Sequence, residues 1–320
     1  MFGEVALVRV YGGALFWDPV REARDAEERG FDGVRVLDHF SAPASPDASF
    51  AVPHSLVTLG AAAAATSRIG LTQTVLANTF RNPAELAQAI ATLHRISGGR
   101  AELGLGAGWH RAEHEAFGIP FPGPAERLAR LREAVTICRT MLRDNGVVDF
   151  EGRYYRAVHD VPWPALPTVP RLMIGGTGPK LLTLAGELAD RVDLVHGNRS
   201  GLPFLGGELH NGVDRIRALR DIALRAGEAV GNTPAFSATI LVSLSRDTSE
   251  VAARRARVAA ATGARVDEIA DDLLHVVGTR EDLRRALDTL AGLGFDRVHL
   301  GAVPPDAEAT LDLISELLPG

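Results

Sequence analysis

The sequence predicts an α/β protein folded as a single (β/α)8 TIM barrel that spans residues 1–320, with insertions in the loops that follow its strands. Three observations predict this fold. Short β-rich segments alternate with longer helical patterns along the whole chain. Most of the strand segments are apolar on both faces, which is typical of parallel strands covered by helices. Eight strand–helix units in this length favour a closed barrel over an open doubly wound sheet.

The predicted strands follow one another at regular intervals. Their segments are VALVRV (5–10), GVRVL (33–37), RIGLTQTVL (68–76), RAELGLG (100–106), RLMIGG (171–176), RVDLVHG (191–197), AFSATILVSL (235–244) and DRVHLGAV (296–303). Several helical patterns between them begin at Asp, Asn or Ser near a proline and end at glycine, the usual asymmetry of helix caps. Two segments exceed the minimal unit: residues 144–168 predict a β-hairpin with a Pro-rich connection, and residues 245–279 predict one or two extra helices.

Composition and charge exclude several classes of protein. A formal net charge of −6 gives no electrostatic footprint for nucleic acid or an anionic membrane. The first residues lack the basic start and cleavage site of a signal peptide, and the sequence has no apolar run long enough to span a membrane. We therefore expect a soluble cytoplasmic protein. The only cysteine, Cys138, excludes an internal disulfide, and its helical pattern predicts a packed thiol.

Polar residues follow the predicted strands at the points where the strands end. In barrels of this type the chemistry lies at the carboxyl ends of the strands, where the loops to the helices begin. The residues at these positions are Asp38 and His39, Gln73, Thr74, Asn78 and Arg81, and the ranges 106–114, 175–178 and 196–199. We expect all of them to meet at one mouth of the barrel.

The segment GRAELGLGAGWHRAEHEAFG (99–118) raises two alternatives. Gly104, Gly106 and Gly108 give the spacing G-x-G-x-G, which does not match the G-x-G-x-x-G of a dinucleotide-binding turn. His110, Glu113 and His114 give the order H-x-x-E-H, which on a long helix would bind zinc in an inverted-zincin manner. Here the order follows a strand end directly, with no long apolar helix to carry it. We therefore expect no metal and interpret Glu113 as a solvated rim residue.

A second glycine cluster, IGGTGPKLL (174–182), follows the fifth predicted strand and opens a helix. It is not a P-loop, because Lys180 is followed by Leu181 rather than by Ser or Thr. A strand that breaks into glycines and enters a helix leaves free backbone N–H groups, and these groups and the helix dipole favour a phosphate. The cluster therefore predicts a phosphate site, with a plain tight turn as the alternative.

His39 is the best candidate for proton transfer, since imidazole titrates near neutral pH. The alternative is a structural hydrogen bond at the start of a loop. Asp38 precedes it directly, but adjacent side chains usually point apart, so adjacency alone does not make a pair. Among the other histidines only His196, at the end of the sixth predicted strand, remains a candidate.

Three longer segments resemble a known family. They are GFDGVRVLDHF, TQTVLANTFRNPAELAQAIATLHRISGGRAELGLGAGWHRAEHEAFGIPF and PRLMIGGTGPKLLTLAGELADRVDL. Together they are similar to the bacterial-luciferase-like superfamily, and within it to the coenzyme F420-dependent oxidoreductases. The pattern SGGR-x-x-LGLGAGW is specific to that group, and the resemblance covers essentially the whole chain.

The resemblance implies a TIM barrel, commonly a homodimer, that binds a flavin or deazaflavin in its mouth. It places His39 near the reactive ring and implies a non-proline cis peptide between Thr74 and Val75 behind the ring. We assign Asp38 and Trp109 to the catalytic set with His39. Trp109 replaces an acidic residue of members that oxidise sugar phosphates, which argues against such a substrate. The remaining residues implied to bind cofactor are Gly106, Ala107 and Gly108 beside the ring, and Gly175, Gly176, Thr177 and Gly178 at its phosphate.

The resulting hypothesis is hydride transfer between F420 and a small organic substrate, with His39 moving the substrate proton. On this interpretation the glycines after the fourth strand let the ring and side chains pass close to the strand end, and the H-x-x-E-H order is incidental. The first alternative is a monooxygenase that uses reduced FMN on the same barrel. A cofactor-free binding or partner barrel is the second, and a metal hydrolase the third. Aromatic residues near the mouth indicate a hydrophobic or aromatic substrate, or else ordinary lid packing: Phe16, Trp17, Phe40 and Trp109.

Overall fold

The structure is a computed structural model, and it describes residues 9–14, 17–45, 48–195, 211–262, 265–302 and 307–318. Its strands are β1 (Arg9–Ala14), β2 (Gly33–Val36), β3 (Ser41–Ser45), β4 (Ala48–Ala51), β5 (Gly70–Gln73), β6 (Leu76–Ala77), β7 (Leu103–Gly106), β8 (Val148–Glu151), β9 (Arg156–His159), β10 (Leu172–Gly175), β11 (Arg191–Val195), β12 (Ala235–Leu244), β13 (His275–Gly278) and β14 (Arg297–Ala302).

The helices are α1 (Pro19–Glu28), α2 (Ser55–Ala65), α3 (Pro83–Ile96), α4 (Arg111–Ala116), α5 (Pro124–Arg143), α6 (Pro179–Leu188), α7 (Val213–Glu228), α8 (Thr248–Thr262), α9 (Val266–Ala270), α10 (Arg280–Gly292) and α11 (Ala307–Ser315). Local signals set several of their ends. Pro83 opens α3 behind the cap Asn82, whose side chain accepts from the Ala84 N–H at 2.9 Å. Thr279 and Asp282 form a capping box at the start of α10.

The central sheet is parallel throughout and runs in the order β5-β2-β1-β14-β12-β11-β10-β7-β6, with β13 also paired to β12. A parallel bridge between Leu71 of β5 and Ala101, just before β7, joins the two ends of this order. The Leu71 N–H donates to the Arg100 carbonyl and its carbonyl accepts from Glu102, each at 3.1 Å. The protein is thus a (β/α)8 TIM barrel, as predicted.

The predicted strands agree with the barrel strands in order, and β12 has the predicted bounds. The third predicted strand is divided into β5 and β6, and the β8–β9 hairpin and helices α8 and α9 fill the two predicted insertions. Two elements were not predicted: strand β13, in a segment interpreted as helical, and the antiparallel pair β3–β4. Cys138 is buried in α5, as expected of a packed thiol.

The core lies between the sheet and the surrounding helices. Strands β2, β7, β10 and β13 are buried at every position, which is why their sequences do not alternate between polar and apolar residues. Because all barrel strands are parallel, the loops after β2, β5, β7 and β10 emerge at one end of the barrel. Among the described helices none is both long and apolar enough to cross a membrane.

The barrel interior holds a buried polar cluster around Asp193 of β11. Its carboxylate accepts hydrogen bonds from Ser237 at 2.6 Å, Thr239 at 2.7 Å and Nδ1 of His299 at 3.0 Å. Burial would raise the pKa of Asp193, but His299 and the two hydroxyls together lower it. Burial and the nearby charges of Arg297 and Arg35 lower the pKa of His299 against the opposing effect of Asp193, so we take this imidazole as neutral.

Candidate active site

His39 lies at the carboxyl end of β2 and is paired with Glu113 of α4. Its Nδ1 is 2.8 Å from the Oε2 of Glu113, and the side chains are 16% and 1% exposed. A carboxylate only accepts hydrogen bonds, so Nδ1 of His39 carries the proton and donates it. This tautomer leaves the lone pair on Nε2 as the acceptor that His39 can offer to another molecule.

Glu113 is held from a second side by the main chain. Its Oε1 accepts hydrogen bonds from the backbone N–H groups of Phe40 and Ser41, the latter at 3.2 Å. Burial alone would raise the pKa of Glu113, but the bond from His39 and these two N–H groups lower it. The prediction of a solvated rim residue was therefore wrong. Glu113 lies on the inward side of the short helix α4 and is bound by the N–H groups of Phe40 and Ser41. The sequence of α4 alone does not indicate these partners.

Asp38 makes a different set of bonds from its neighbour. Each of its oxygens accepts from Arg81 at 2.7 Å, and the carboxylate also accepts from Ser55 Oγ and the Ala77 N–H, both at 2.8 Å. This bonding fixes the loop after β2 to α2 and β6. These bonds use the lone pairs of the Asp38 carboxylate, so Asp38 anchors the loop, and its catalytic role stays a prediction.

The H-x-x-E-H order does not assemble as in a zincin. His114 is buried and turned away, with Nε2 bonded to Thr79 Oγ1 at 2.7 Å and Nδ1 to the His110 carbonyl at 2.8 Å. The ligating atoms of His39, His110 and Glu113 instead lie within 4.8 Å of one another, so these three residues could hold a metal ion. His39 thus takes the place that the sequence pattern assigned to His114.

Aromatic side chains form the wall beside His39. Trp109 is 37% exposed and meets the His39 ring edge-on, with ring centroids 5.5 Å apart. Its other neighbour, His110, stacks on it at 4.7 Å. Phe40 and Phe117 stack on each other at 4.2 Å and are both exposed. An exposed apolar surface of this kind next to a candidate proton carrier suits an apolar ligand group.

The third barrel strand is interrupted at Thr74 and Val75, and the peptide between them is cis, as the resemblance implies. The Val75 side chain lies between Gly106 and Gly175. A Cβ added at either glycine would come within 2.5 Å and 2.7 Å, respectively, of a Val75 methyl group. We predicted that the glycines after the fourth strand let the ring and side chains pass close to the strand end; at Gly106 the structure shows such a side chain, that of Val75.

Arg35 of β2 binds the side chain of Thr74 at this interruption. Its Nη1 donates to Thr74 Oγ1 at 2.9 Å, and the side chain is almost fully buried. Burial lowers the pKa of Arg35 to about 10, with the charge of Asp193 opposing the shift, so the guanidinium stays charged at neutral pH. A Cβ at Gly301 would meet the guanidinium at 2.1 Å. Arg35 was not among the predicted site residues, although a lone arginine in an apolar strand indicates a buried polar role.

The turn after β10 leads into α6 with an open helix end. Gly176 has a φ of +149°, and its N–H donates to the Asp193 carbonyl at 3.0 Å. Gly178 caps α6 without any side-chain hydrogen bond, and a Cβ added there would meet nothing within 4 Å. The first N–H groups of an α-helix have no partner within the helix. The Gly176 N–H is already used, so the donors that this turn offers to an anion are those at the start of α6, beside the open space at Gly178.

These parts lie at the same end of the barrel. Val75 contacts Gly106 and Gly175 directly, Gly106 leads through residues 107–110 into α4 and Glu113, and Gly175 leads into the turn 176–178. Ala107 packs against the core at this point. The predicted candidates Phe16, His196 and the rest of 196–199 lie outside the described residues.

Comparison with known proteins identifies the family. A family model described as luciferase-like monooxygenase matches residues 10–297. The chain belongs to the luciferase-like monooxygenase family. Family membership agrees with the barrel, with the resemblance inferred from the sequence motifs and with the position of the site at the mouth.

Individual relatives of this luciferase-like chain add detail. An F420-dependent glucose-6-phosphate dehydrogenase from Kineococcus radiotolerans is 40% identical over 173 residues, which cover 52% of this chain and 49% of that protein. The match thus spans about half the length of such curated relatives. The solved structure of an F420-dependent secondary alcohol dehydrogenase with an F420-acetone adduct has a TM-score of 0.80 at 22% identity and covers 98% of both chains.

A third comparison includes a flavin. The oxygenating constituent of 3,6-diketocamphane monooxygenase from Pseudomonas putida, solved in complex with FMN, has a TM-score of 0.67 at 19% identity and covers 94% of this chain and 91% of its own. At these identities the two structural comparisons establish the shared fold alone.

Proposed function

We propose that this luciferase-like chain is an F420-dependent oxidoreductase that transfers a hydride between the deazaflavin and a small organic substrate. The observation that carries the proposal is the arrangement of His39. Its Nδ1 is committed to the buried Glu113, its ring is partly exposed, and it lies at the same barrel end as the turn 176–178. The name of the F420-dependent relative from Kineococcus radiotolerans supports the choice of cofactor.

The residues at the mouth fit a planar ring with a phosphate tail. Val75, seated between Gly106 and Gly175, would form the wall behind the ring, and Ala107 and Gly108 would border it. The turn from Gly176 to Gly178 would bind the phosphate through backbone N–H groups at the start of α6. F420, when bound, supplies the hydride chemistry, and the protein supplies orientation and the proton.

His39 would exchange that proton through Nε2. In the direction of substrate oxidation Nε2 accepts the hydroxyl proton, and in the direction of reduction the protonated ring returns it to the substrate oxygen. Glu113 acts through His39 as a positioning residue, since it holds the tautomer that exposes the Nε2 lone pair. Trp109 would border the substrate and, with Phe40 and Phe117, favour an apolar or aromatic one.

A cofactor titration tests the proposal. We expect purified protein to bind F420, measured by fluorescence, more tightly than FMN. Tight FMN binding together with substrate-dependent oxygen consumption would instead establish the monooxygenase alternative. The FMN-bound Pseudomonas putida protein has the same fold, so this alternative is tested alongside the first. Binding of neither cofactor would favour a cofactor-free barrel.

The phosphate assignment has its own matched pair of variants. Gly178→Asp places a carboxylate at the helix cap, which stabilises α6 but repels a phosphate, so we expect F420 affinity to fall at least about tenfold without loss of thermal stability. Gly178→Ala adds a methyl group but no charge, so it should bind F420 more tightly than Gly178→Asp does. Equal affinity of the two variants would place the phosphate elsewhere.

A further inference from the structure

We propose that His39, His110 and Glu113 form a binding site for a divalent transition-metal ion of the Zn²⁺ class. Their ligating atoms lie within 4.8 Å of one another. The Oε2 of Glu113 is 2.8 Å from Nδ1 of His39 and 3.5 Å from Nδ1 of His110. Two imidazole nitrogens and one carboxylate oxygen are the ligand set of many catalytic zinc sites, in which the fourth position stays open.

The separations suit a tetrahedral ion. With metal–ligand bonds of 2.0–2.1 Å, neighbouring ligand atoms of a tetrahedral site lie about 3.3 Å apart. The two distances from the Oε2 of Glu113 lie on either side of this value. The third separation, between the nitrogens of His39 and His110, is within 4.8 Å, so these two side chains would have to rotate towards each other to share one ion.

A buried nitrogen at this cluster is poorly satisfied. Nδ1 of His110 is buried, and its contact with the Oε2 of Glu113 at 3.5 Å does not have hydrogen-bond geometry. Such an atom is costly unless something else satisfies it. A neutral imidazole nitrogen at this position can supply the lone pair that a metal requires.

Neighbouring groups hold the ligands in place. Trp109 stacks on His110 with an interplanar angle of 16°. The Phe40 and Ser41 N–H groups bind the Oε1 of Glu113 and leave its Oε2 for the ion. Outer contacts of this kind orient ligands and strengthen metal sites.

Metal binding would change the tautomer of His39. An ion on Nδ1 displaces the proton there, and the neutral ring then carries its single proton on Nε2. His39 could still donate from Nε2, but it could not accept a proton until the ion left. This consequence rests on the proposed function, whereas metal binding itself does not. The expected effect is that Zn²⁺ inhibits substrate oxidation.

Binding is tested on cofactor-free protein stripped with EDTA. Calorimetric titration with ZnCl₂ should show one strong site per chain, and Co²⁺ should give the intense visible absorption of a tetrahedral ion. We expect His110→Gln to weaken Zn²⁺ binding by about 100-fold. The matched control is His159→Gln, at an exposed histidine of β9, which should bind as the wild type does.

The variant Glu113→Gln provides a second test of the same ligand set and should also weaken Zn²⁺ binding. In a crystal soaked with zinc, an anomalous map at the zinc edge should place the ion between the three side chains. The proposal is overturned if wild-type protein binds no ion, or if His110→Gln and His159→Gln bind Zn²⁺ equally. These measurements need neither F420 nor substrate, so they test the metal site separately from the proposed function. If the protein binds Zn²⁺ strongly but does not bind F420, the metal site is supported and the proposed function is contradicted.

Discussion

The barrel contains two histidine–carboxylate pairs with nearly the same local geometry and different surroundings. His39 and Glu113 pair at the mouth over 2.8 Å, and His299 and Asp193 pair in the interior over 3.0 Å, each through Nδ1. The interior pair is fully buried on both sides, whereas the ring of His39 is partly exposed. The two pairs therefore have similar contact distances, and they differ in the solvent exposure of the imidazole.

The partners of the carboxylates differ in the same sense. Asp193 accepts hydroxyl hydrogen bonds from two residues of one strand, so it ties β11, β12 and β14 together inside the sheet. Glu113 accepts main-chain N–H groups from the loop after β2, so it fixes the loop that carries His39. The interior pair serves the stability of the barrel, and the pair at the mouth orients a group that can meet a substrate.

Replacing the partly exposed imidazole of His39 should have the largest effect on turnover. We expect His39→Ala to reduce turnover by about 10²–10⁴-fold, because it removes the group that moves the substrate proton. Affinity for F420, measured by fluorescence titration, should stay within a few-fold of the wild type. His159→Ala, at an exposed histidine outside the site, is the control. Unchanged turnover in His39→Ala would show that the pair at the mouth has no role in the reaction, so the proposed functional difference between the two pairs would be wrong.

Replacing the interior carboxylate should instead destabilise the protein. Asp193→Ala leaves two hydroxyls and an imidazole without their acceptor in a fully buried place. We expect the free energy of unfolding to fall by about 3–5 kcal/mol. Urea denaturation followed by circular dichroism measures this change. A loss below about 1 kcal/mol, the size of an ordinary surface effect, would contradict a structural role for the interior pair.

Glu113→Gln sharpens the comparison at the mouth. The amide can accept the Phe40 and Ser41 N–H groups, but it does not replace the charge that holds the Nδ1 proton of His39. A hydrogen bond to a charged group contributes about 1.5–3 kcal/mol, so we expect kcat to fall by about 10- to 100-fold. KM and F420 affinity should not change. A purely structural role predicts a lower melting temperature with unchanged kcat, which would exclude Glu113 as the positioning residue.

Much of the fold could be predicted because its signals are local. The ten residues of β12 and the capped starts of α3 and α10 have sequences that determine their structure with little help from neighbours. Strand β13 has only four residues and becomes a strand by pairing with β12. The β3–β4 pair likewise depends on a partner strand. Such short elements depend on tertiary contacts that periodicity does not contain.

The site divides in the same way. His39 could be found from the sequence because it directly follows a barrel strand, and strand ends meet at the mouth. Glu113 could not, because its burial depends on backbone donors 72 and 73 residues earlier in the chain. Asp38 was predicted from its position, whereas the partner that binds its carboxylate, Arg81, lies 43 residues further along the chain and could not be predicted. Position along a strand predicts where a residue lies, and its partners decide what it does.

The smallest expected effect concerns the pH dependence of stability. Burial depresses the pKa of His299 in the folded protein, so the unfolded chain binds more protons as the pH falls through the ordinary range of histidine. Stability is therefore present above that range and lost on acidification, by at most about 1.4 kcal/mol per pH unit for one group. In His299→Gln this contribution is absent. The unfolding free energies of wild type and variant should thus converge between about pH 7.5 and pH 5, a window set by histidine's ordinary pKa. A gap that stays constant over this window would show that folding does not shift the pKa of His299, and a gap that widens on acidification would show that the folded interior binds the proton more tightly than the unfolded chain does. Either result would contradict a neutral imidazole in the interior pair.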